Sequence, residues 1–149
     1  DDAAGLQVAA LLSDTYIGLA RRDHPLLSGA LTVERWAAQS HVLIAPRGSR
    51  IGVVDAALAE LGLKRRIRIV TPHFATAPRL LVDTDLVLTL PSRAARLFAQ
   101  VYKLRVFDVP VALAPLPLSA RWHEARARDA AHRFLRRVVI DVARTVAAA

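Results

Sequence analysis

From His41 onward the chain alternates short apolar runs with helix-like segments, and this alternation restricts its fold more than any other feature. The runs His41–Ala45, Ile67–Thr71, Leu86–Leu90 and Leu104–Phe107 have the length and apolar content of buried strands. Between them, Val53–Leu61 places Val54, Ala57, Leu58 and Leu61 on one helical face and is stopped by Gly62. A second helix, roughly Ala75–Val82, tolerates Pro78 in its first turn, and Ser92 is placed to cap a third that runs to about Tyr102. Strands and helices alternating at this spacing imply right-handed crossovers, so an α/β fold with a parallel, Rossmann-like sheet is expected over about residues 23–114.

Outside that region the rhythm changes. Leu6–Leu12 and Thr15–Ala20 are β-compatible runs split by Ser13 and Asp14, and Pro25 with the polar residues before it closes the second. Thr32 can cap a short helix through Ala38, with Glu34 in the first turn where the dipole favours an anion. Pro110, Pro115 and Pro117 punctuate an extended run to Trp122, which prolines confine to an edge strand or connector. A last helix, near Asp129–Val146, is expected to bury Ala131, Phe134, Leu135, Val138, Val139, Val142 and Val146 on one stripe and to expose Arg133, Arg136, Arg137 and Arg144. Tyr16–Ala20 and Leu116–Trp122 flank the central region and are expected to form a two-strand connection to a second, partial lobe.

Composition narrows the function. A chain of 149 residues that is 54% hydrophobic can hold one ordinary domain, or one complete lobe and part of another. No run approaches the roughly 18 apolar residues of a spanning helix, and Asp1 and Asp2 carry the wrong charge to open a secretion signal, so no membrane segment is expected. Methionine is absent, which implies a processed product or an excised piece. The net charge of +8 is spread over short clusters, Arg21-Arg22, Lys64-Arg65-Arg66 and Arg136-Arg137, and aromatics are only 5%, which fits solvated faces better than a nucleic-acid platform. Zero cysteine removes disulfides, iron–sulfur clusters and thiolate zinc, and fits a cytoplasmic protein. His24, His41, His73, His123 and His132 show no close metal-ligand spacing, and no Walker or Gly-x-Ser-x-Gly pattern occurs, so neither a metal, a cofactor nor an enzymatic activity is expected.

Two strand-end segments carry the recognition chemistry. Ligands of open parallel sheets sit beyond the carboxyl ends of strands, where Thr71, Pro72, His73 and Phe74 offer a hydroxyl, an imidazole and an aromatic face. Pro46, Arg47, Gly48, Ser49 and Arg50 lie between a strand and a helix: Gly48 permits a close turn, Ser49 can cap, and Arg47 or Arg50 can fork a carboxylate. The same segment also satisfies a plainer reading, a capped helix start with two exposed arginines. Asp83 and Asp85 are expected to frame the turn before a buried strand, and Trp122 and His123 to pack between lobes.

The order of these segments resembles the effector-binding domain of LysR-type transcriptional regulators. The resemblance rests on Tyr16-Ile17-Gly18-Leu19-Ala20-Arg21-Arg22-Asp23-His24-Pro25-Leu26, His41–Gly48, Val54–Leu63, Pro72-His73-Phe74, Asp85–Pro91, Trp122-His123 and Ala131–Arg136, and covers nearly the whole chain. It implies the type 2 periplasmic-binding-protein fold: residues 1–22 as the end of a first lobe and the first crossover strand, 23–114 as a complete second lobe, and 115–149 as the second crossover strand and a helix returning to the first lobe. The implied function is ligand sensing for a DNA-binding transcription factor, with a small carboxylate or aromatic effector held between lobes against Pro46–Ser49 and Thr71–Phe74. It further implies DNA contact only through a helix-turn-helix outside this chain, and a homodimer or homotetramer contacted through the exposed face of Val53–Leu61 and the edge strands. The alternative is a solute-binding lobe of a transport system.

Overall fold

The computed structural model describes residues 5–46, 48–49 and 51–148. Asp1–Ala4, Arg47 and Arg50 lie outside them, and with them the carboxylate fork expected of the two arginines. Two compact units are present, Thr15–Ala114 and a smaller one drawn from the residues before Thr15 and after Ala114.

The larger unit is built on five strands: β1 (Leu6–Asp14) precedes it, and β2 (Tyr16–Ala20), β3 (Ser40–Ile44), β4 (Arg66–Thr71), β5 (Leu86–Pro91) and β6 (Arg105–Phe107) form its sheet in the order β4-β3-β5-β2-β6. β3 is parallel to both β4 and β5, as expected. β2 is not a connector but an interior strand, antiparallel to β5 and to β6, so the sheet is mixed. The partner expected of Tyr16–Ala20, the run ending at Trp122, instead pairs with β1, and the compact unit begins at Thr15 rather than near residue 23.

Both faces of this sheet are covered. Along β5, Leu86, Leu88 and Leu90 enter one core with Ile17, Leu19 and Val42, while Val87 enters a second core with Ala20, Leu26, Trp36 and Leu58, because successive side chains point to opposite faces. Helix α1 (Val33–Ala37), capped by the Thr32 hydroxyl accepting from the Arg35 amide, supplies Trp36 and Ala37 to the second core. Helix α2 (Val53–Glu60) supplies Val54 and Leu58 to the same face, but Leu61 lies past the helix and is exposed, and Ala57 is only half-buried. Helix α3 (Ser92–Tyr102) packs on the first core through Ala95, with Lys103 in the left-handed region at its end; Ser92 is its first residue rather than a side-chain cap.

Two further expectations change. Ile67–Thr71 is not a buried strand: β4 is a sheet edge whose residues alternate exposed and half-buried, with Arg66 and Arg68 facing solvent. The helix expected over Ala75–Val82 is a single 3-10 turn, Ala77–Leu81, since Pro78 withholds the amide a longer helix would need while Ala77, Pro78 and Leu81 still reach the core.

His41 is wholly buried beside Trp36, its ring edge-on at a centroid separation of 5.3 Å, and its Nε2–H donates to the Trp36 carbonyl at 2.9 Å. Gly18 is required by a close approach of a different kind: a Cβ there would lie 2.2 Å from Phe107 Cζ. Gly18→Ala is therefore expected to lower stability by about 1–3 kcal/mol through overpacking, seen as a lower denaturant midpoint at unchanged slope. A shift below about 0.5 kcal/mol, the range of a neutral surface change, would show that the Phe107 ring yields freely.

The smaller unit pairs β1 antiparallel with β7 (Leu116–His123), from Leu6 opposite His123 to Asp14 opposite Leu116, with an irregularity between Ala10 and Leu12. Trp122 Nε1 donates across this ladder to Gln7 Oε1 at 2.9 Å. Helix α4 (Ala130–Ala148) packs on β1, its first turn capped by Asp129 Oδ1, which accepts from the His132 amide and holds the Asp129 carboxyl below its usual range. Of the stripe expected to be buried, Ala131, Phe134, Leu135, Val138, Val139, Val142 and Val146 are all exposed, and among the described residues of the helix Ala143 alone is buried. Two strands are too narrow to cover a helix of 19 residues.

Candidate functional site

The site lies at the carboxyl edge of the five-stranded sheet. Because β3 and β4 are parallel neighbours with Ile44 opposite Thr71, their following loops leave the sheet side by side, and the Ala45 amide donates to the Thr71 carbonyl at 2.8 Å. The two loops then diverge. The one after β3 leads to α2 on the Trp36 side, whereas the one after β4 leads to the 3-10 turn on the Leu88 side. Loops beyond the carboxyl ends of parallel strands are the general ligand position of open α/β sheets. The Ala45–Thr71 bond thus sets the start of the loop carrying Pro46, Gly48 and Ser49 beside the start of the loop carrying Thr71, Pro72, His73 and Phe74.

Their local geometry divides the roles. Thr71 Oγ1 accepts from the His73 amide at 3.2 Å, and the His73 carbonyl accepts from the Thr76 hydroxyl, so the loop braces itself and leaves the His73 imidazole and the Phe74 ring exposed. Phe74 is 43% exposed. Gly48, at φ 73°, closes a turn through its amide to the Ala45 carbonyl, a conformation that favours glycine.

Ser49 does not cap α2. Its hydroxyl is spent on its own loop, donating to the Ile51 carbonyl at 2.9 Å and accepting from the Ile51 amide at 3.2 Å. The helix start is held instead by Asp55, whose Oδ2 accepts from the Gly52 amide at 2.7 Å. Arg65 forks the same carboxylate with two bonds of 2.8 Å. Burial alone would raise the Asp55 carboxyl, but the Arg65 bonds and the Gly52 amide together hold it below its usual value. The first turn of α2 therefore carries an anion of its own, which takes that amide away from any ligand.

Sequence reasoning missed a third segment at this edge. β5 ends beside β3, and its continuation, Pro91-Ser92, meets the start of β2: Tyr16 lies opposite Pro91, and the Ser92 amide donates to the Thr15 carbonyl at 2.7 Å. Only the position of Ser92 after an apolar run signals this in sequence; its neighbours across the sheet do not. Several other polar residues singled out in the sequence have structural partners of their own. Asp85 accepts from Arg21 Nε at 2.8 Å, Asp83 pairs with Arg79, and His24 and His123 each accept a backbone amide at the start of a 3-10 turn. Among the described residues no cluster of three potential metal ligands occurs, and no helix is long and apolar enough to cross a membrane.

Fold and edge together define a two-unit α/β domain of the binding-protein kind. The profile described as LysR substrate binding domain matches residues 1–144, and the chain belongs to that family of ligand-sensing regulatory domains, whose role is regulatory rather than catalytic. It is 34% identical over 132 residues to the HTH-type transcriptional activator NahR of Pseudomonas putida, covering 89% of this chain and 44% of the relative. It is 37% identical over 136 residues to the HTH-type transcriptional regulator SyrM of Rhizobium meliloti, covering 91% and 42%. Among solved structures, the regulatory domain of MexT, a transcriptional activator in Pseudomonas aeruginosa, superposes with a TM-score of 0.79 at 29% identity, covering 92% of this chain and 66% of that one. The chain thus spans less than half the length of these two regulators.

Proposed function

We propose that the crevice between the loops after β3 and β4 receives a small effector, a carboxylate or an aromatic molecule, and that its occupancy sets the state of a DNA-binding regulator. The observation that carries this reading is the departure of those two loops from adjacent parallel strands to opposite faces of the sheet, with His73 and Phe74 exposed on the second of them. In it Phe74 supplies apolar contact, and His73 and Thr71 supply polar contacts. Pro46, Gly48 and Ser49 form the neighbouring wall with Pro72, although the Ser49 hydroxyl must leave Ile51 to bind anything else. Signal transfer is a population shift: a ligand changes the regulator only as far as it binds two conformations differently.

The exposed apolar stripe of α4 and the narrow β1–β7 pair fit a first lobe completed by further residues, in line with the longer relatives. In the same reading, residues 23–114 belong to the second lobe, DNA is contacted by a separate helix-turn-helix, the regulator assembles as a homodimer or homotetramer, and it works in the cytoplasm. The test is a thermal-shift screen of small aromatic carboxylates followed by Phe74→Ala. Stabilisation by a hit should follow mass action, and losing the ring contact should weaken binding roughly tenfold, about 1–2 kcal/mol. Unchanged stabilisation of Phe74→Ala by every hit would remove this edge as the effector site.

A further inference from the structure

The smaller unit carries a second concave surface, a groove of about 570 Å³ between β7 and α4, whose walls include Trp122, Arg133, Phe134, Arg136, Arg137 and Arg144. Asp141 lines it as well, so its cationic character rests on four arginines outnumbering this one carboxylate. Arg136 is fixed from three sides: it donates to the Arg126 carbonyl at 3.2 Å and the Ala127 carbonyl at 2.9 Å, it meets His132 Nδ1 at 2.8 Å, and its guanidinium lies 4.8 Å from the Trp122 ring centroid. Arg137 lies 5.8 Å over the Phe134 ring. Arg144 is paired with Asp141, but among the described residues neither Arg133 nor Arg137 has a carboxylate partner.

The helix presents this groove away from its apolar stripe. At about 100° per residue, Leu135, Val138, Val142 and Val146 fall on one flank of the seam marked by Ala143. Arg133, Arg137 and Arg144 fall on the other. A segment that covered the apolar flank would leave the arginine flank open.

We propose that this groove is an accessory binding site for a small organic anion, one carboxylate or phosphate group on a planar apolar body. Its oxyanion is forked by Arg133 and Arg137, and its body rests against Phe134 and the exposed edge of Trp122. Guanidiniums without carboxylate partners favour an oxyanion through paired, charge-assisted bonds. The aromatic walls and the immobilised Arg136 favour an apolar body over a bare ion. A concave site of this volume suits a single small molecule, whereas a polyanion would be matched by a convex ridge of cations.

The experiment titrates phenyl phosphate, benzoate and neutral benzyl alcohol into the protein as encoded in full length. Binding is followed by calorimetry and by tryptophan fluorescence, and the Trp122→Phe variant assigns any change to Trp122. Saturable binding of an anion, loss of the fluorescence change in Trp122→Phe, and affinity reduced at least about tenfold in Arg133→Gln/Arg137→Gln support the site. Phe74→Ala should leave this binding within about twofold, which separates it from the strand-edge crevice. The proposal is overturned if neither anion binds saturably, if the double variant binds as well as the unaltered protein, if benzyl alcohol binds as tightly as benzoate, or if only duplex DNA elicits the response.

Discussion

Replacing Arg65 with methionine is expected to lower stability by about 3 kcal/mol, toward the low end of what breaking a buried ion pair costs. The Arg65 side chain is only 2% exposed and forks Asp55, itself 19% exposed, so the substitution leaves a carboxylate in poor contact with water. Asp55 also holds the Gly52 amide, and the strain is transmitted to the start of α2. The double variant Asp55→Asn/Arg65→Met should recover part of the loss, because the uncompensated charge is gone. Chemical denaturation of the three proteins measures this directly. A loss below about 1 kcal/mol for Arg65→Met, the value of an exposed pair, would mean that water replaces the guanidinium at little cost.

The second large effect is a loss of stability in mild acid that originates at His41. Burial pushes its imidazole down to about 4, partly offset by the bond to the Trp36 carbonyl, with Arg65 lowering it further and Asp55 raising it. Its folded value lies below the unfolded value near 6.5, so its contribution is fully present above about pH 6.5. As pH falls from there toward 4 the unfolded chain gains a proton that the folded chain refuses, and the cumulative loss reaches about 3 kcal/mol. The window precedes that of Asp55, whose contribution is lost only below the ordinary carboxylate range. Urea midpoints at pH 7, 5.5 and 4.5 should fall in the unaltered protein and fall much less in His41→Gln, which can still donate to Trp36. Equal slopes for both proteins would assign the acid sensitivity elsewhere.

Much of the larger unit could be read before the structure, because its elements are announced by local signals. Thr32 and Glu34 mark a helix start, Gly62 a stop, and the leucine-rich run before Pro91 a central strand. What failed is non-local. Nothing in Tyr16–Ala20 states that it inserts antiparallel between β5 and β6, since both faces of an interior strand are apolar whichever way it runs. Arg66 and Arg68 alternate with isoleucines and did signal an edge, but the apolar residues that follow outweighed them. On α4, periodicity groups the apolar residues but does not tell whether anything covers them, and the stripe expected to be buried is exposed. The candidate site shows the same division. Two of its loops follow from the alternation of strands and helices, whereas the meeting of Pro91-Ser92 with Thr15-Tyr16 depends on a pairing between distant segments. Ser49 stands where a hydroxyl could cap, but a carboxylate three residues after Gly52 does the capping instead.

The insertion of β2 also governs how the larger unit assembles in time. β2 is synthesised first, but its partners on either side, β5 and β6, are among the last strands of the unit to be made. β3 and β4 can pair as soon as both exist. β6 can join only through β2, and β2 reaches the rest of the sheet only through β5, with Leu19 opposite Leu88. Closing so long a loop delays the step. Until it happens, Ile17 and Leu19 remain an apolar strand with two unpaired edges, open to a chaperone or to a neighbouring ribosome's product.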